Sequence, residues 1–223
     1  MTTRAVLLDA LGTLVELQPP APRLKALLEA EGFPVSLERA QAGFRAEIEY
    51  YLAHHLEGSD RAALDDLRNR CAAVLLEALQ LPGLDHAGAR RAMLGALDFT
   101  PYEEVSAALA ELRARGLTLV VASNWDCALP DWLGTAGLLN LVDAVVTSAE
   151  VGAAKPDPRV FERALALAGV RAGEAVHVGD SPENDVAGAR AAGVRAVLVW
   201  RASSAPPEGE VIPSLAELPH LLS

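Results

Sequence analysis

The sequence predicts an α/β protein with a doubly wound parallel sheet, interrupted near its start by an inserted helical domain. Three observations support this prediction. A short apolar strand opens the chain, a long all-helical stretch follows it, and strands and helices then alternate. Such alternation is typical of a parallel sheet whose connecting helices pack on both faces. With 223 residues, 51% of them hydrophobic, the chain can bury a substantial core.

The first strand covers residues 4–9 and is apolar without alternation, as expected of a strand that is buried on both faces. In residues 17–98, apolar residues recur at three-to-four spacing, which indicates amphipathic helices. One strand cannot form a stable sheet by itself. We therefore interpret residues 17–98 as a helical cap inserted into a Rossmann-like core domain, which is made of residues 1–16 and 99–223.

From residue 101 onward, predicted strands and helices alternate until a Pro-rich, polar segment that is expected to be a surface loop. The helix "YEEVSAALAELRARG" comes first and is followed by four further predicted strands. These strands are "LTLVVAS", "VDAVVTS", "EAVHVGD" and "VRAVLVW". The helices between them are "DCALPDWLGTAGL", "DPRVFERALALAGV" and "PENDVAGARAAG".

Charge and composition argue against several classes of partner. The net charge is −11, whereas nucleic acids and anionic membranes bind clustered cationic surface, so neither is an expected partner. The apolar runs are too short to cross a bilayer, and no secretory signal is visible, so we expect a cytoplasmic protein. Cys71 and Cys127 lack CxxC spacing, which predicts neither a disulfide framework nor a zinc site. We expect a monomer or a homodimer.

Residues that can perform chemistry gather where the predicted strands end. In an open α/β sheet, ligands bind at the carboxyl ends of the strands. This set combines a carboxylate that could act as a nucleophile, hydroxyl and amide donors, an ammonium group and an acidic pair. Its members are Asp9, Thr13, Ser123, Asn124, Lys155, Asp180 and Asp185.

Each of these residues also has an ordinary structural interpretation. An aspartate at the end of a strand commonly caps a turn, and a loop lysine usually lies in solvent. Ser181 and Pro182 form a typical helix start, which Asp180 and Asp185 could merely cap. The occurrence of the whole set in order, each member after a predicted strand, favours the functional interpretation.

Four stretches, "DALGT", "ASN", "KPDP" and "GDSPENDVAGARAAG", resemble the motifs of the haloacid dehalogenase (HAD) superfamily of hydrolases. The resemblance spans nearly the whole chain and implies a helical cap inserted after the first motif. It implies that Asp9 is a covalent nucleophile, most often toward a small phosphorylated substrate, and that Lys155 pairs with Asp9 and the phosphoryl oxygens. Ser123 and Thr13 are expected beside them in catalysis, and Asn124 is an expected substrate contact.

The acidic residues also predict a metal site. Three carboxylates that meet in one cleft repel each other and any phosphate, and a divalent cation removes this repulsion. Hard oxygen ligands favour Mg²⁺, which we expect as the cofactor. Asp9 and Asp180 are the expected side-chain ligands, the backbone carbonyl of Leu11 is a third, and Asp185 is expected to hold the metal's waters.

Leu11 departs from the pattern of the family's phosphatases. In those enzymes, the residue two positions after the nucleophile is an aspartate that protonates the leaving oxygen and later activates water. General acid–base catalysis typically contributes roughly 10² to 10⁴-fold, or about 3 to 5 kcal/mol of barrier. We therefore expect a phosphatase that prefers aryl or acyl phosphates, takes an acid from the cap, or is slow.

Leu11 leaves two alternatives open. The family's 2-haloacid dehalogenases attack carbon and need no acid, because halide leaves without a proton, and Arg45 resembles their cap arginine. Asp180, Pro182 and Phe161 differ from the serine, asparagine and tyrosine of those metal-free enzymes, so the phosphatase ranks first. A weakly catalytic or non-catalytic protein that binds a phosphorylated metabolite is the other alternative.

Overall fold

The computed structural model of the chain describes residues 2–222. Its first part contains β1 (Ala5–Leu8), β2 (Val15–Leu17), α1 (Pro20–Ala30), α2 (Leu37–His54), α3 (Arg61–Leu79), α4 (His86–Ala96) and β3 (Phe99–Pro101). Its second part contains α5 (Val105–Ala114), β4 (Thr118–Ser123), α6 (Leu129–Thr135), β5 (Ala144–Thr147), α7 (Ser148–Val151), α8 (Pro158–Ala168), β6 (Ala175–Gly179), α9 (Gly188–Ala191), β7 (Arg195–Val199), β8 (Val211–Ile212) and α10 (Leu218–Leu221).

A six-stranded sheet in the order β5-β4-β1-β6-β7-β8 confirms the predicted α/β fold class. The neighbouring strands pair in parallel, and β1 lies between β4 and β6, with Leu8 opposite both Val121 and Val178. Because the chain winds outward in both directions from β1, its carboxyl end is a switch point where a ligand crevice forms. Strands β2 and β3 form a separate two-stranded sheet.

The chain divides into two compact units. One comprises the residues up to Glu16 and those from Pro101 onward, and the other is Leu17–Thr100. The second unit consists mainly of α1–α4, whose buried faces carry the predicted apolar residues such as Leu24, Phe44 and Leu75. None of the described helices is long and apolar enough to span a membrane.

The core of the sheet-containing unit explains why its strands lack alternation. All four residues of β1 are buried, because helices cover both faces of a parallel sheet. Helix α8 packs Val160, Phe161 and Ala164 in the same cluster as Leu7 of β1. This packing places the loop before α8, which contains Lys155, next to the end of β1.

Two of the segments that differ from the sequence prediction lie after Asp180. The helix predicted from Pro182 begins with a π-helical turn, Pro182–Ala187, and becomes α-helical only in α9. Ser181 caps this turn, and its carbonyl accepts from the backbone N–H groups of Asp185 and Val186. The predicted surface loop contains the two-residue strand β8, which is too short to produce a periodic pattern.

Glu47 is a buried carboxyl group inside the helical unit. Glu47 is only 6% exposed. Burial raises the pKa of its carboxyl group to about 7, although a hydrogen bond with Cys71 opposes the rise. An unfolded chain ionises this carboxyl near its ordinary pKa of 4.5. Between these two pH values the folded protein keeps a proton that the unfolded chain has lost, so stability falls as the pH rises.

Glu47→Gln is therefore expected to raise the free energy of unfolding at about pH 8, by up to about 3 kcal/mol, and to change it little at about pH 5. Urea unfolding at both pH values measures the difference. Glu49→Gln, at an exposed position on the same helix, is the matched control. Equal effects of Glu47→Gln at the two pH values would show that this carboxyl does not titrate upon folding.

Candidate active site

Asp9 follows the central strand and is held by residues from both neighbouring strands and from the loop before α8. Asp9 is only 6% exposed, and its backbone N–H donates to the carbonyl of Val178 at 2.9 Å. Asp9 Oδ1 accepts hydrogen bonds from Ser123 Oγ at 2.9 Å and from Lys155 Nζ at 2.6 Å. Since Ser123 ends β4 and Lys155 precedes α8, the sheet brings together three residues that are far apart in sequence.

Lys155 also binds a second carboxylate. Its Nζ donates to Asp185 Oδ1 at 2.6 Å, and the ammonium is therefore shared by two buried carboxylates. The same Oδ1 lies 2.8 Å from Nε2 of His177, and the backbone N–H of Ser181 donates to Asp185 Oδ2 at 3.0 Å. His177 was not predicted as a site residue. The available signal was a histidine inside the otherwise apolar strand "EAVHVGD".

The site contains more negative than positive charge. Burial raises the pKa of Asp9, and the Asp185 charge adds to this effect against the opposing ammonium. Burial and the charges of Asp9 and Asp185 raise the pKa of Asp180 to about 6. Burial disfavours both charged partners of the Lys155–Asp185 pair. Attraction to Asp9 and Asp185 outweighs it and raises the pKa of Lys155, and attraction to Lys155 with the His177 hydrogen bond lowers the pKa of Asp185.

The three carboxylates could hold a metal ion. One oxygen from each of Asp9, Asp180 and Asp185 lies within 4.8 Å of the others. Hydrogen bonds from Lys155, His177 and Ser181 use both Asp185 oxygens. Among the described residues, the hydrogen-bond donors to the Asp9 carboxylate bind Oδ1 and leave Oδ2 available. An excess of hard oxygen donors over cations fits a divalent metal, with Asp9 and Asp180 better placed as direct ligands than Asp185.

Gly12 allows the Asp180 carboxylate to approach the turn after β1. The φ angle of Gly12 is +84°, a region that favours glycine. A Cβ atom at this position would lie 2.1 Å from Asp180 Oδ2, well inside van der Waals contact. Only glycine therefore satisfies both the backbone conformation and the available space.

Leu11 and Thr13 lie on either side of this glycine and differ in exposure. The Leu11 residue is 44% exposed and brings no acidic group to the turn. Thr13 is fully buried, and its Oγ1 has no hydrogen-bond partner among the described residues. The catalytic role of Thr13 and metal binding by the Leu11 carbonyl stay predictions.

Asn124 has a more specific structural role than the sequence indicated. Its Nδ2 donates to the Lys155 carbonyl at 3.0 Å, and its Oδ1 accepts from the Lys155 backbone N–H at 2.7 Å. Both ends of the Asn124 amide thus hold the loop that carries Lys155. A contact between Asn124 and a substrate stays a prediction. Arg45 is exposed on α2 in the helical unit, and its substrate contact also stays a prediction.

Arg201 is a further residue beside the site that the sequence pattern does not indicate. Its guanidinium donates to the carbonyls of Gly12 and Thr13 at 3.3 and 3.2 Å. It also pairs with Glu104 at 2.7 Å and lies 3.6 Å from the centre of the Tyr102 ring. These contacts anchor the turn that follows the candidate nucleophile.

Comparison with known proteins identifies the family of this site. A model of the haloacid dehalogenase-like hydrolase family matches residues 3–193. The chain belongs to this hydrolase family. The motifs on which the sequence resemblance rested supply the clustered residues Asp9, Ser123, Lys155, Asp180 and Asp185.

Relatives within the family include phosphatases and dehalogenases. Phosphoserine phosphatase from Thermus thermophilus is 48% identical over 118 residues, which are 51% of this chain and 46% of that protein. The chain thus spans about half the length of this curated relative. The crystal structure of a HAD phosphatase from Thermococcus onnurineus superposes with a TM-score of 0.65 at 27% identity, over 99% of this chain and 98% of the other. An L-2-haloacid dehalogenase from Xanthobacter autotrophicus superposes with a TM-score of 0.70 at 25% identity, over 99% and 98% of the two chains.

Gly12→Ala tests the close approach of Asp180. We expect it to lower the free energy of unfolding by more than the roughly 1 to 2 kcal/mol of a left-handed alanine, and to weaken Mg²⁺ binding at least about tenfold because the carboxylate must move. Urea unfolding and titration calorimetry measure the two effects. Gly116→Ala is the matched control, since Gly116 has a φ of +79° and open space around its Cβ position. Identical results for the two variants would contradict the steric argument.

Proposed function

We propose that this protein is a Mg²⁺-dependent phosphatase that hydrolyses a small phosphorylated metabolite through an aspartyl-phosphate on Asp9. The observation that carries the proposal is the buried cluster in which Ser123 and Lys155 hold Asp9 beside two further carboxylates. A nucleophilic carboxylate, a fixed ammonium and an acidic pair are the groups that phosphoryl transfer through aspartate needs. Phosphatases among the relatives support the same reaction class.

The reaction proceeds in two displacements at phosphorus. In the first, an Asp9 oxygen forms a bond to phosphorus while the bond to the leaving oxygen breaks, and that oxygen departs with the electron pair. In the second, water attacks the phosphorus of the aspartyl-phosphate, which releases inorganic phosphate and restores the Asp9 carboxylate. The protons of this water balance the charge on the leaving oxygen and on the phosphate.

The residues around Asp9 have distinct roles in this scheme. Lys155 compensates charge on the transferred phosphoryl oxygens, and the Ser123 hydroxyl orients the Asp9 carboxylate. Asn124 places Lys155 through its two backbone hydrogen bonds. Mg²⁺ bound by Asp9 and Asp180 would supply positive charge that lets an anionic substrate enter this acidic site.

Leu11 determines which substrates the proposed enzyme would cleave well. Nothing at this exposed position can protonate the leaving oxygen. Aryl and acyl phosphates depart as comparatively stable anions, so they depend least on the missing acid. We propose such phosphates as the better substrates, and we propose that Leu17–Thr100 acts as the cap that selects among them.

A 2-haloacid dehalogenase is the second candidate, because dehalogenation needs no acid at position 11 and a dehalogenase has a closely similar fold. In that reaction Asp9 would displace halide from carbon, and water would then hydrolyse the resulting ester. The acidic cluster argues against it, since Asp180 is a third carboxylate beside Asp9 and Asp185 and would repel the carboxylate of a haloacid in a reaction that uses no metal ion to neutralise it.

Asp9→Asn is expected to abolish phosphate release from p-nitrophenyl phosphate in the presence of Mg²⁺. The amide cannot attack phosphorus, and we expect a loss of at least about 10³-fold. Wild-type protein without Mg²⁺ is the control and should be nearly inactive. A parallel assay for halide release from 2-chloropropionate, with and without Mg²⁺, tests the second candidate.

Each outcome of these assays decides between the candidates. Phosphate release that needs both Mg²⁺ and Asp9 supports the phosphatase. Halide release that does not depend on Mg²⁺ would replace it with the dehalogenase. Mg²⁺-dependent ligand binding without turnover of either substrate class would leave a binding protein.

Leu11→Asp tests the role of the missing acid. For an alkyl phosphate such as glycerol phosphate, we expect kcat to rise about tenfold or more, because a carboxylic acid can then protonate the leaving oxygen. For p-nitrophenyl phosphate we expect a change of less than about threefold. Leu11→Asn is the matched control without a transferable proton. Equal gains for the two variants, or for the two substrates, would contradict this explanation.

A further inference from the structure

His177 lies behind the site and does not take part in the reaction scheme above. It belongs to β6, is fully buried and has its Nε2 2.8 Å from Asp185 Oδ1. That oxygen also accepts from Lys155 Nζ, which in turn donates to Asp9. A continuous buried chain of hydrogen bonds therefore runs from His177 through Asp185 and Lys155 to the candidate nucleophile.

The direction of the His177 bond follows from its partner. Lys155 holds Asp185 in its carboxylate form, and a carboxylate only accepts hydrogen bonds. His177 Nε2 is therefore the donor. Its Nδ1 is buried and has no partner among the described residues, so a proton on Nδ1 would be an unsatisfied buried donor. The surroundings thus favour one tautomer, with the proton on Nε2.

Packing holds the imidazole ring in the orientation that this bond requires. The Phe161 ring meets it edge to face, with ring centres 5.0 Å apart and an interplanar angle of 90°. Phe161 is itself fully buried on α8, the helix that follows the Lys155 loop. The same helix therefore supports the His177 end of the hydrogen-bonded chain and follows the loop that carries Lys155.

We infer that His177 is a positioning residue for Lys155 and Asp9, an inference that rests on the proposed phosphatase reaction for its catalytic meaning. By donating to Asp185 Oδ1, His177 shares that oxygen with Lys155 and fixes the orientation of the carboxylate. Asp185 then holds the ammonium at the point where it also reaches Asp9. Without the second donor on Oδ1, the carboxylate is held only by Lys155 and by the Ser181 N–H on Oδ2, so it can turn and take a larger share of the ammonium, which weakens the bond between Lys155 and Asp9.

A matched pair of variants separates this role from packing. His177→Gln keeps an N–H donor at about the same distance from the backbone, whereas His177→Met has a similar length and no donor. We expect His177→Met to lower kcat for p-nitrophenyl phosphate about tenfold or more with KM changed less than about twofold, because Lys155 acts on the transferred group. His177→Gln should retain kcat to within about threefold.

The lysine content of the chain provides a readout that does not depend on catalysis. Lys25 and Lys155 are the two lysines of the sequence, so protein labelled with ¹⁵N-lysine has two side-chain ammonium resonances, which Lys25→Arg assigns. We expect the Lys155 resonance to keep its chemical shift in His177→Gln and to move or broaden in His177→Met. An unchanged resonance in His177→Met, or equal changes in both variants, would overturn the inference.

The two proposals can fail separately. A moved resonance in His177→Met together with an inactive wild-type enzyme would contradict the phosphatase but support the positioning role. If His177→Met does not fold, ¹⁵N-histidine spectra of the wild-type protein still test the inference. They should show the His177 proton on Nε2 and none on Nδ1, and a proton on Nδ1 instead would overturn it.

Discussion

The bond between Lys155 and two buried carboxylates is the interaction on which the site depends. Burying an ammonium is unfavourable unless charged partners surround it, and Asp9 and Asp185 provide them at 2.6 Å each. The pairing compensates only part of the negative charge, since Asp180 adds a third carboxylate. The site therefore pairs its buried ammonium and still retains the acidic excess that a divalent cation can neutralise. The proposed enzyme uses both properties.

The fold creates this arrangement by placing strand ends, and not neighbouring residues, in contact. Asp9 and Asp180 follow β1 and β6, Ser123 ends β4, these three strands are adjacent in the sheet, and Lys155 comes from the loop before α8. Contacts from other residues then fix the positions of these side chains. Asn124 holds the lysine loop, Arg201 holds the turn at Gly12 and Thr13, and the π-helical turn places Asp185 over β6. These supporting residues thus fix the positions of Lys155, of the turn after β1 and of Asp185 around the candidate nucleophile.

The sequence predicted the strands and the residues at their ends best, because burial of a parallel sheet on both faces determines both. Uninterrupted apolar runs predicted the five long strands, and the parallel sheet then required their polar ends to meet, so Asp9, Ser123 and Asp180 could be placed together. The supporting residues could not be predicted in the same way. The role of Asn124 depends on the backbone conformation of a loop 31 residues away, and those of His177 and Arg201 depend on tertiary contacts without a sequence pattern. The π-helical turn is capped by Ser181 and begins with Pro182, which is also the pattern of an ordinary α-helix start, so the sequence did not distinguish the two.

Measurement of the Asp180 pKa tests most directly whether the acidic cluster is built for a divalent cation. A ¹³C NMR titration of the aspartate carboxyl carbons follows it with and without Mg²⁺. We expect a pKa of about 6 in the absence of Mg²⁺ and a value well below the ordinary aspartate range when Mg²⁺ is saturating, because the cation stabilises the carboxylate. An Asp180 titration that is unchanged by Mg²⁺ would contradict it.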